Sequence, residues 1–329
     1  AVVEKLLAWM TRHLIRMKAL DPFRLLDYFP VAIDGSQICT FDEEPWPGCP
    51  HRELSHGSVQ YFAYVLDAKL LTPCGMALTL ATEPLTNEGN KTFDKQDCEL
   101  KAFPRLVEKL YAFFPRTPLC LLLDGLYANQ HVIRLIESKR WKYIITFKEG
   151  SMPERFPEAV TLAGMQTNNQ LRVQNPKLTQ QFLWAAALPI AEFSAKALFC
   201  HEQPEGDEAR QFVWLTNFHL CRNNVEKIAN KGGRLRWKIE NEGFNVQKNN
   251  GYEMQHPYSE HANGFQVFYV LLLMAYYIAQ LILHGNLVSS LCKTFGSAKN
   301  FARRLAESMR NHPLPADPAM PGQIRFRPP

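Results

Sequence analysis

The run PLCLLLDG, residues 118–125, is almost wholly apolar up to its Asp-Gly end. A half-buried strand alternates apolar and polar residues, so an unbroken run this short calls for a strand covered on both faces. The segments that follow narrow the choice. NQHVIRLIESKRW, from Asn129, carries apolar residues at helical spacing, and KYIITFKEG, from Lys142, is a second apolar strand. Strand, helix and strand in that order form a parallel βαβ unit, and a chain built on one is α/β, with helices flanking its sheet.

Other segments extend this frame. FPVAIDGSQICTF, from Phe29, reads as a short apolar strand ending at an Asp34-Gly35 turn, and VQYFAYVLDAKLL and GMALTLATEPL follow with hairpin-like spacing. The stretch from Ala1 to Tyr28 has helical periodicity through Leu6, Leu7, Met10, Leu14 and Met17; it lacks an initiator Met, so the natural N-terminus is expected further upstream. Asp94 to Phe114 reads as an amphipathic helix capped by Asp94, despite Pro104. Between Met152 and Leu220, QLRVQ, QQFLWAAALPI, AKALFCHE and RQFVWLTNFHL are short strands parted by turn residues, the pattern of an antiparallel β insertion. Asn223 to Lys248 returns to helix, broken at Gly232-Gly233. Phe265 to His284 is long enough to span a bilayer, but Gln266, Gln280 and three tyrosines interrupt it, and a fully buried core helix is expected. Pro313 to Pro329 holds six prolines and reads as an irregular tail. The resulting divisions are 1–28, 29–151, 152–221, 222–312 and 313–329.

With 46% apolar and 21% charged residues, the 329-residue chain is neither collagen-like, disordered nor a disulfide scaffold. Its net charge of +5 is unevenly spread. Arg222 to Lys248 holds seven basic residues against three acidic, and Gly285 to the end seven against two, so the remainder is acidic. Clustered positive charge beside an acidic body suits phosphate binding, although a solvated helix face accounts for either cluster alone. The eight cysteines are scattered without a CxxC pair, which fits a reducing, cytoplasmic setting. Cys49, His51 and His56 lie close together but lack a fourth ligand at zinc-site spacing, so that stretch reads as a loop.

The chemistry-bearing residues are acids. Asp34 and Asp124 each end an apolar strand, and in α/β sheets binding groups gather at strand carboxyl ends; Asp-Gly is also a favoured turn, which either residue alone would explain. In RWKIENEGFNVQK, Arg236 and Glu240 stand four apart and share a helix face, with Ile239 and Phe244 available as anchors. A salt bridge on a solvated helix is the plain alternative.

Taken together, Asp34, LLLDGLYAN around Asp124, the β-rich insertion and RWKIENEGFNVQKN resemble the insertion-sequence DDE transposases, most closely the branch with a Tyr-Arg-Glu-Lys signature, insertion-sequence four-like. FDKQDCELKA is also similar to that branch, and the resemblance runs from about Phe29 to Arg310. It implies an RNase H-like mixed sheet in which Asp34, Asp124 and Glu240 are catalytic and bind two Mg²⁺ (or Mn²⁺) ions, with a β domain filling the interval between the last two acids. It places Arg236 and Lys248 along the DNA, with Arg234, Lys238 and Lys148 as further phosphate contacts. Two positions depart from the signature. Gly233 stands where its Tyr belongs, and seven residues rather than six separate Glu240 from Lys248.

The implied activity is hydrolysis at transposon ends followed by strand transfer into target DNA, with both DNAs as partners. A homodimer in the synaptic complex and a bacterial cytoplasm, nucleoid-associated when bound to DNA, complete the expectation. Trp184 and Trp214 are candidates for stacking on a flipped base, against a core role for both. Glu83, Asp97 and Glu99 are left outside the triad, Asp97 as a helix cap. Alternatives are an RNase H-like nuclease without joining, a truncated DNA-binding relic, and a membrane-associated protein built around Phe265 to His284.

Overall fold

The computed structural model describes residues 2–87, 97–286, 294–313 and 324–326. Among them the protein is α/β, with ten strands in mixed sheet and flanking helices. The strands are β1 (Phe29–Phe41), β2 (His51–Glu53), β3 (Val59–Leu71), β4 (Ala77–Pro84), β5 (Leu119–Leu123), β6 (Lys142–Thr146), β7 (Gln170–Asn175), β8 (Leu178–Ile190), β9 (Phe193–Pro204) and β10 (Arg210–Thr216). The helices are α1 (Val2–Arg16), α2 (Glu99–Phe113), α3 (Gln130–Ser138), α4 (Arg155–Met165), α5 (Val225–Lys231), α6 (Asn245–Asn249), α7 (Ala262–His284) and α8 (Ala298–Asn311). The chain divides into two compact units. The first joins Arg24–Asp34 to Phe103–Ile239; the second joins Ala1–Phe23, Gly35–Ala102 and Glu240–Pro329.

In the first unit, β5, α3 and β6 form the parallel βαβ unit, and the opening residues of β1 pair in parallel with β5. Every residue of β5 is buried, as its unbroken apolar run requires. Asn129 caps α3 by accepting the Val132 N–H at 3.0 Å, and Val132, Ile133 and Ile136 face inward. The β-rich stretch continues the same sheet, since β10 pairs antiparallel with β6 and is followed by β9, β8 and β7. That stretch also holds a helix that strand-like texture did not announce. α4 packs on β8 and buries only the small residues Ala159 and Ala163, too slight a stripe to register as helical periodicity.

β1 does not end at Asp34-Gly35 as expected; it runs on to Phe41. Gly35 serves close approach rather than a turn, because a Cβ there would overlap the Tyr64 ring and the Glu99 carboxylate, which bond to one another. The expected cap Asp94 lies outside the described residues, as do Cys292 and most of the proline-rich tail. α2 starts at Glu99, just after Asp97 accepts the N–H groups of Cys98 and Thr86.

In the second unit, β3 and β4 form an antiparallel hairpin and α1 and α7 pack on β4. Polar side chains tie the helices down. Glu4 accepts the Thr82 N–H at 3.0 Å, Gln280 accepts the Ala77 N–H at 2.6 Å and donates to the Ala77 carbonyl at 3.1 Å, and the Thr11 and Tyr277 hydroxyls meet at 2.8 Å. α7 is not the fully buried helix expected. It is long and apolar enough to cross a membrane, but only 33% of its most apolar window is buried. Tyr269, Leu273, Tyr276 and Tyr277 face inward while Val267, Phe268, Leu271 and Ile278 lie exposed. Apolar residues all round a helix do not choose a face. The tyrosines mark the inner one, where their hydroxyls meet Asp67, the Glu242 carbonyl and Thr11.

Burial raises the pKa of Tyr269, Tyr276 and Tyr277 above the ordinary 10.0, and pushes Cys39 and Cys49 up from 9.0 to about 11 and about 12. In the folded state these groups keep protons that the unfolded chain releases. Their stabilisation is complete below the unfolded values and lost as pH climbs through the folded ones. Unfolding by urea across the alkaline range is therefore expected to show stability falling from about pH 9 upward.

Candidate active site

The register between β1 and β5 decides where the first two acids stand. Phe29 lies beside Leu119 and Ala32 beside Leu122, and continuing this ladder by two residues sets Asp34 level with Asp124. The ladder between β5 and β6, with Leu123 beside Ile145, continues to Asp124 beside Thr146, and Thr146 pairs with Trp214 of β10. Residues paired across a sheet point to the same face. Asp34, Asp124, Thr146 and Trp214 thus form one row, at the carboxyl ends of β5 and β6 and just past the last β1–β5 pair. At about 4.8 Å per strand, Trp214 is two strands and roughly 10 Å from Asp124. The same ladder carries on through Leu198 to Trp184, four strands and roughly 19 Å from Asp124. Of the two tryptophans, Trp214 is the one near the acids.

Each acid is engaged. Asp124 accepts the Leu126 N–H at 2.8 Å and so caps the 3₁₀ turn Gly125–Tyr127, which fixes its carboxylate at the strand end. Asp34 lies 3.5 Å from the Arg236 guanidinium, with the two side chains about one-fifth exposed, at 18% and 21%. Among the described residues, no three His, Cys, Asp or Glu side chains are gathered into a group able to hold a metal ion.

Beside this row the first unit has a cleft of about 510 Å³, lined by Lys148, Phe156, Phe212, Trp214, Arg234, Arg236 and Trp237 among others. Phe212 and Trp214 stack with planes 6° apart, and the Arg234 guanidinium sits 4.7 Å over the Phe212 ring. Arg234 is also ion-paired with Glu202, a residue only 3% exposed. Gln180 donates to Glu202 at 2.6 Å and exchanges hydrogen bonds with Asn230, so the Arg234 charge is fixed and partly neutralised. Lys148 is exposed on the rim occupied by Asp124, its Cδ 3.9 Å from where a Cβ on Gly125 would stand. Lys238 lies 6.0 Å from the Trp237 ring. Trp237, 48% exposed, and Phe212 were not singled out from sequence. Their trace there is an aromatic residue set between basic ones, Arg-Trp-Lys at 236–238, a pattern that accompanies nucleic-acid surfaces.

Gly233 and the interval from Glu240 to Lys248 each have a local structural setting. At Gly233 a Cβ would run into the Trp214 indole, so the indole fills the space a side chain there would need. Gly233→Ala is expected to cost ~1–3 kcal/mol in denaturant unfolding, the usual penalty for overpacking, because indole and backbone are both fixed.

The interval between Glu240 and Lys248 contains a local change of helix. An α-helix turns about 100° per residue, so eight steps end about 80° from the starting face. Ile239–Phe244 is π-helical, with i→i+5 bonding that takes in one more residue per turn. That looser winding turns Lys248 back toward the face of Glu240. Partial burial lowers the Lys248 pKa. Glu240 itself is exposed, at the start of the second unit's final segment.

Cys49, His51 and His56 have local partners of their own. Cys49 donates to the Phe62 carbonyl, His51 lies tilted against the Tyr61 ring, and His56 meets Ser58. The chain matches no protein-family model, and comparison with curated proteins returns no match.

Proposed function

We propose that this chain is the catalytic part of a DNA transposase with an RNase H-like fold, in which Asp34, Asp124 and Glu240 hold two Mg²⁺ (or Mn²⁺) ions. The observation that carries the proposal is the parallel pairing of β1 with β5, Phe29 to Ala32 against Leu119 to Leu122, a ladder that two further residues on sets Asp34 level with Asp124. The antiparallel strands β7 to β10 between Asp124 and Glu240, and the cationic and aromatic cleft beside the two aspartates, support it.

Mg²⁺ favours carboxylate oxygens, which Asp34 and Asp124 offer on neighbouring strands. Bound there, the ions supply Lewis-acid stabilisation of the attacking and leaving oxygens in an in-line displacement at phosphorus. Arg236 and Lys148 then hold phosphates on either side of the aspartates, Arg236 exchanging its carboxylate partner for the DNA backbone. Lys238 and Lys248 extend the basic track. Arg234, tied to Glu202, acts by stiffening the Phe212 wall. The face of Phe212, with Trp237, offers a base a stacking surface. Hydrolysis at an element end frees a 3′-hydroxyl, and attack by that hydroxyl on target DNA repeats the same displacement. A homodimer joining two ends, working at the bacterial nucleoid, belongs to the same proposal.

End-labelled duplexes from the chain's own genomic flanks, incubated with the protein, Mg²⁺ and a target plasmid, test this. Nicked ends together with joined products are expected. Nicking without joining would assign a nuclease of the same fold, and salt-sensitive binding with neither product would leave a DNA-binding relic.

A further inference from the structure

We infer that Lys69, with Asp67, Tyr269, Gln247 and Tyr276, is a positioning device that fixes the π-helical turn Ile239–Phe244 and so aims the Glu240 carboxylate; this rests on the proposed function. The cluster lies wholly within the second unit. Lys69 and Asp67 are fully buried and paired at 2.8 Å. Tyr269 donates to Asp67 at 2.8 Å, and Lys69 donates to Thr79 and Gln247, each at 3.2 Å.

What marks the cluster is where its bonds go. Lys69 stands 4.7 Å from the centre of the Phe244 ring, at the end of the π turn, and Gln247 is on α6, the helix that continues it. Gly243 lies flat on the lysine stem, where a Cβ would stand 3.1 Å from Cδ and 3.3 Å from Cε. Tyr276 reaches the turn from α7, its hydroxyl donating to the Glu242 carbonyl. Anchors from β3 and α7 thus converge on three of the turn's six residues, Glu242, Gly243 and Phe244, leaving exposed Glu240 one turn away.

Stability alone is a poor account of this arrangement. A buried ion pair gains little over well-packed apolar residues, and here Asp67 Oδ1 and Gln247 Nε2 are buried without hydrogen-bond partners. A π turn, in contrast, is a local irregularity that needs support from outside to keep its register. Lys69, itself fixed by Asp67 and Thr79, supplies that support as a rigid floor under Gly243 and Phe244.

The test compares the wild-type chain with Asp67→Asn/Lys69→Met, which removes both charges and so avoids the unpaired aspartate of Lys69→Met, and with Tyr276→Phe, which leaves the pair intact. Three quantities are read: hydrogen exchange over residues 239–249, Mn²⁺ affinity, and DNA cleavage kcat beside metal-free DNA affinity. The inference expects both variants to unfold cooperatively and to lose protection over 239–249. It also expects weaker Mn²⁺ binding, unchanged DNA affinity and a kcat ~100-fold lower, the scale of a misplaced catalytic group. Wild-type protection and Mn²⁺ affinity in both variants would overturn it. Wild-type kcat with lowered protection would also overturn it, leaving the cluster a purely structural role. If the wild-type chain cuts no DNA, the proposed function falls, and the exchange and Mn²⁺ readings still decide whether the turn is held by Lys69.

Discussion

Asp124→Asn is expected to lower DNA cleavage by on the order of 10³-fold or more while leaving DNA binding intact or tighter. The amide is nearly isosteric and its oxygen can still accept the Leu126 N–H, so the 3₁₀ turn at Gly125–Tyr127 keeps its cap. What disappears is a negative charge at the strand end. With it goes an oxygen donor for a divalent cation and a source of repulsion toward phosphate. Asp34→Asn is expected to act in the same direction with one added consequence. Its partner Arg236 loses a full charge at 3.5 Å and becomes more available to DNA, so the gain in affinity should exceed that of Asp124→Asn. Single-turnover cleavage and a salt titration of binding measure the two effects separately. Cleavage at wild-type rates by either variant would remove the two-aspartate site from consideration.

The parts of the fold most open to sequence reading are those where one physical requirement dominates. LCLLL must be covered on both faces, and a helix of the right length separates it from the next apolar run, so β5, α3 and β6 follow directly. Asp34 and Asp124 are legible for the same reason, as the residues where two such runs stop being apolar. Their equal level in the sheet is not legible, because register depends on pairing partners far apart in the chain. Gly35 shows a different limit. The dipeptide Asp-Gly is common in turns, yet this glycine admits Tyr64 and Glu99 to the backbone, and those neighbours are invisible locally.

The π turn left a trace that periodicity could not interpret. On a regular α-helix the spacing of Glu240 to Lys248 sets the two on different faces. Only with Ile239–Phe244 wound more loosely do they turn toward one side. The buried pair left no trace at all. In VLDAKLL the two charged residues stand two apart, as solvent-facing residues of a strand do, and nothing local says that α7 will cover them with Tyr269.

That pair carries the largest stability effect. Lys69→Met is expected to cost ~3–5 kcal/mol in denaturant unfolding, the range for breaking a buried pair by removing one partner. Desolvation already lowers the Lys69 pKa against the pull of Asp67, so the charged lysine is held chiefly by that partner. Without Lys69, Asp67 is a carboxylate at zero exposure with Tyr269 as its remaining donor. That unpaired buried charge, and not the loss of a side chain as such, sets the cost. Asp67→Asn/Lys69→Met removes the charge left behind and should recover most of the loss. Urea unfolding of both variants at neutral pH measures this. A Lys69→Met penalty that persists in the double variant would mean that lost packing around the lysine stem, rather than the unpaired charge of Asp67, sets the cost.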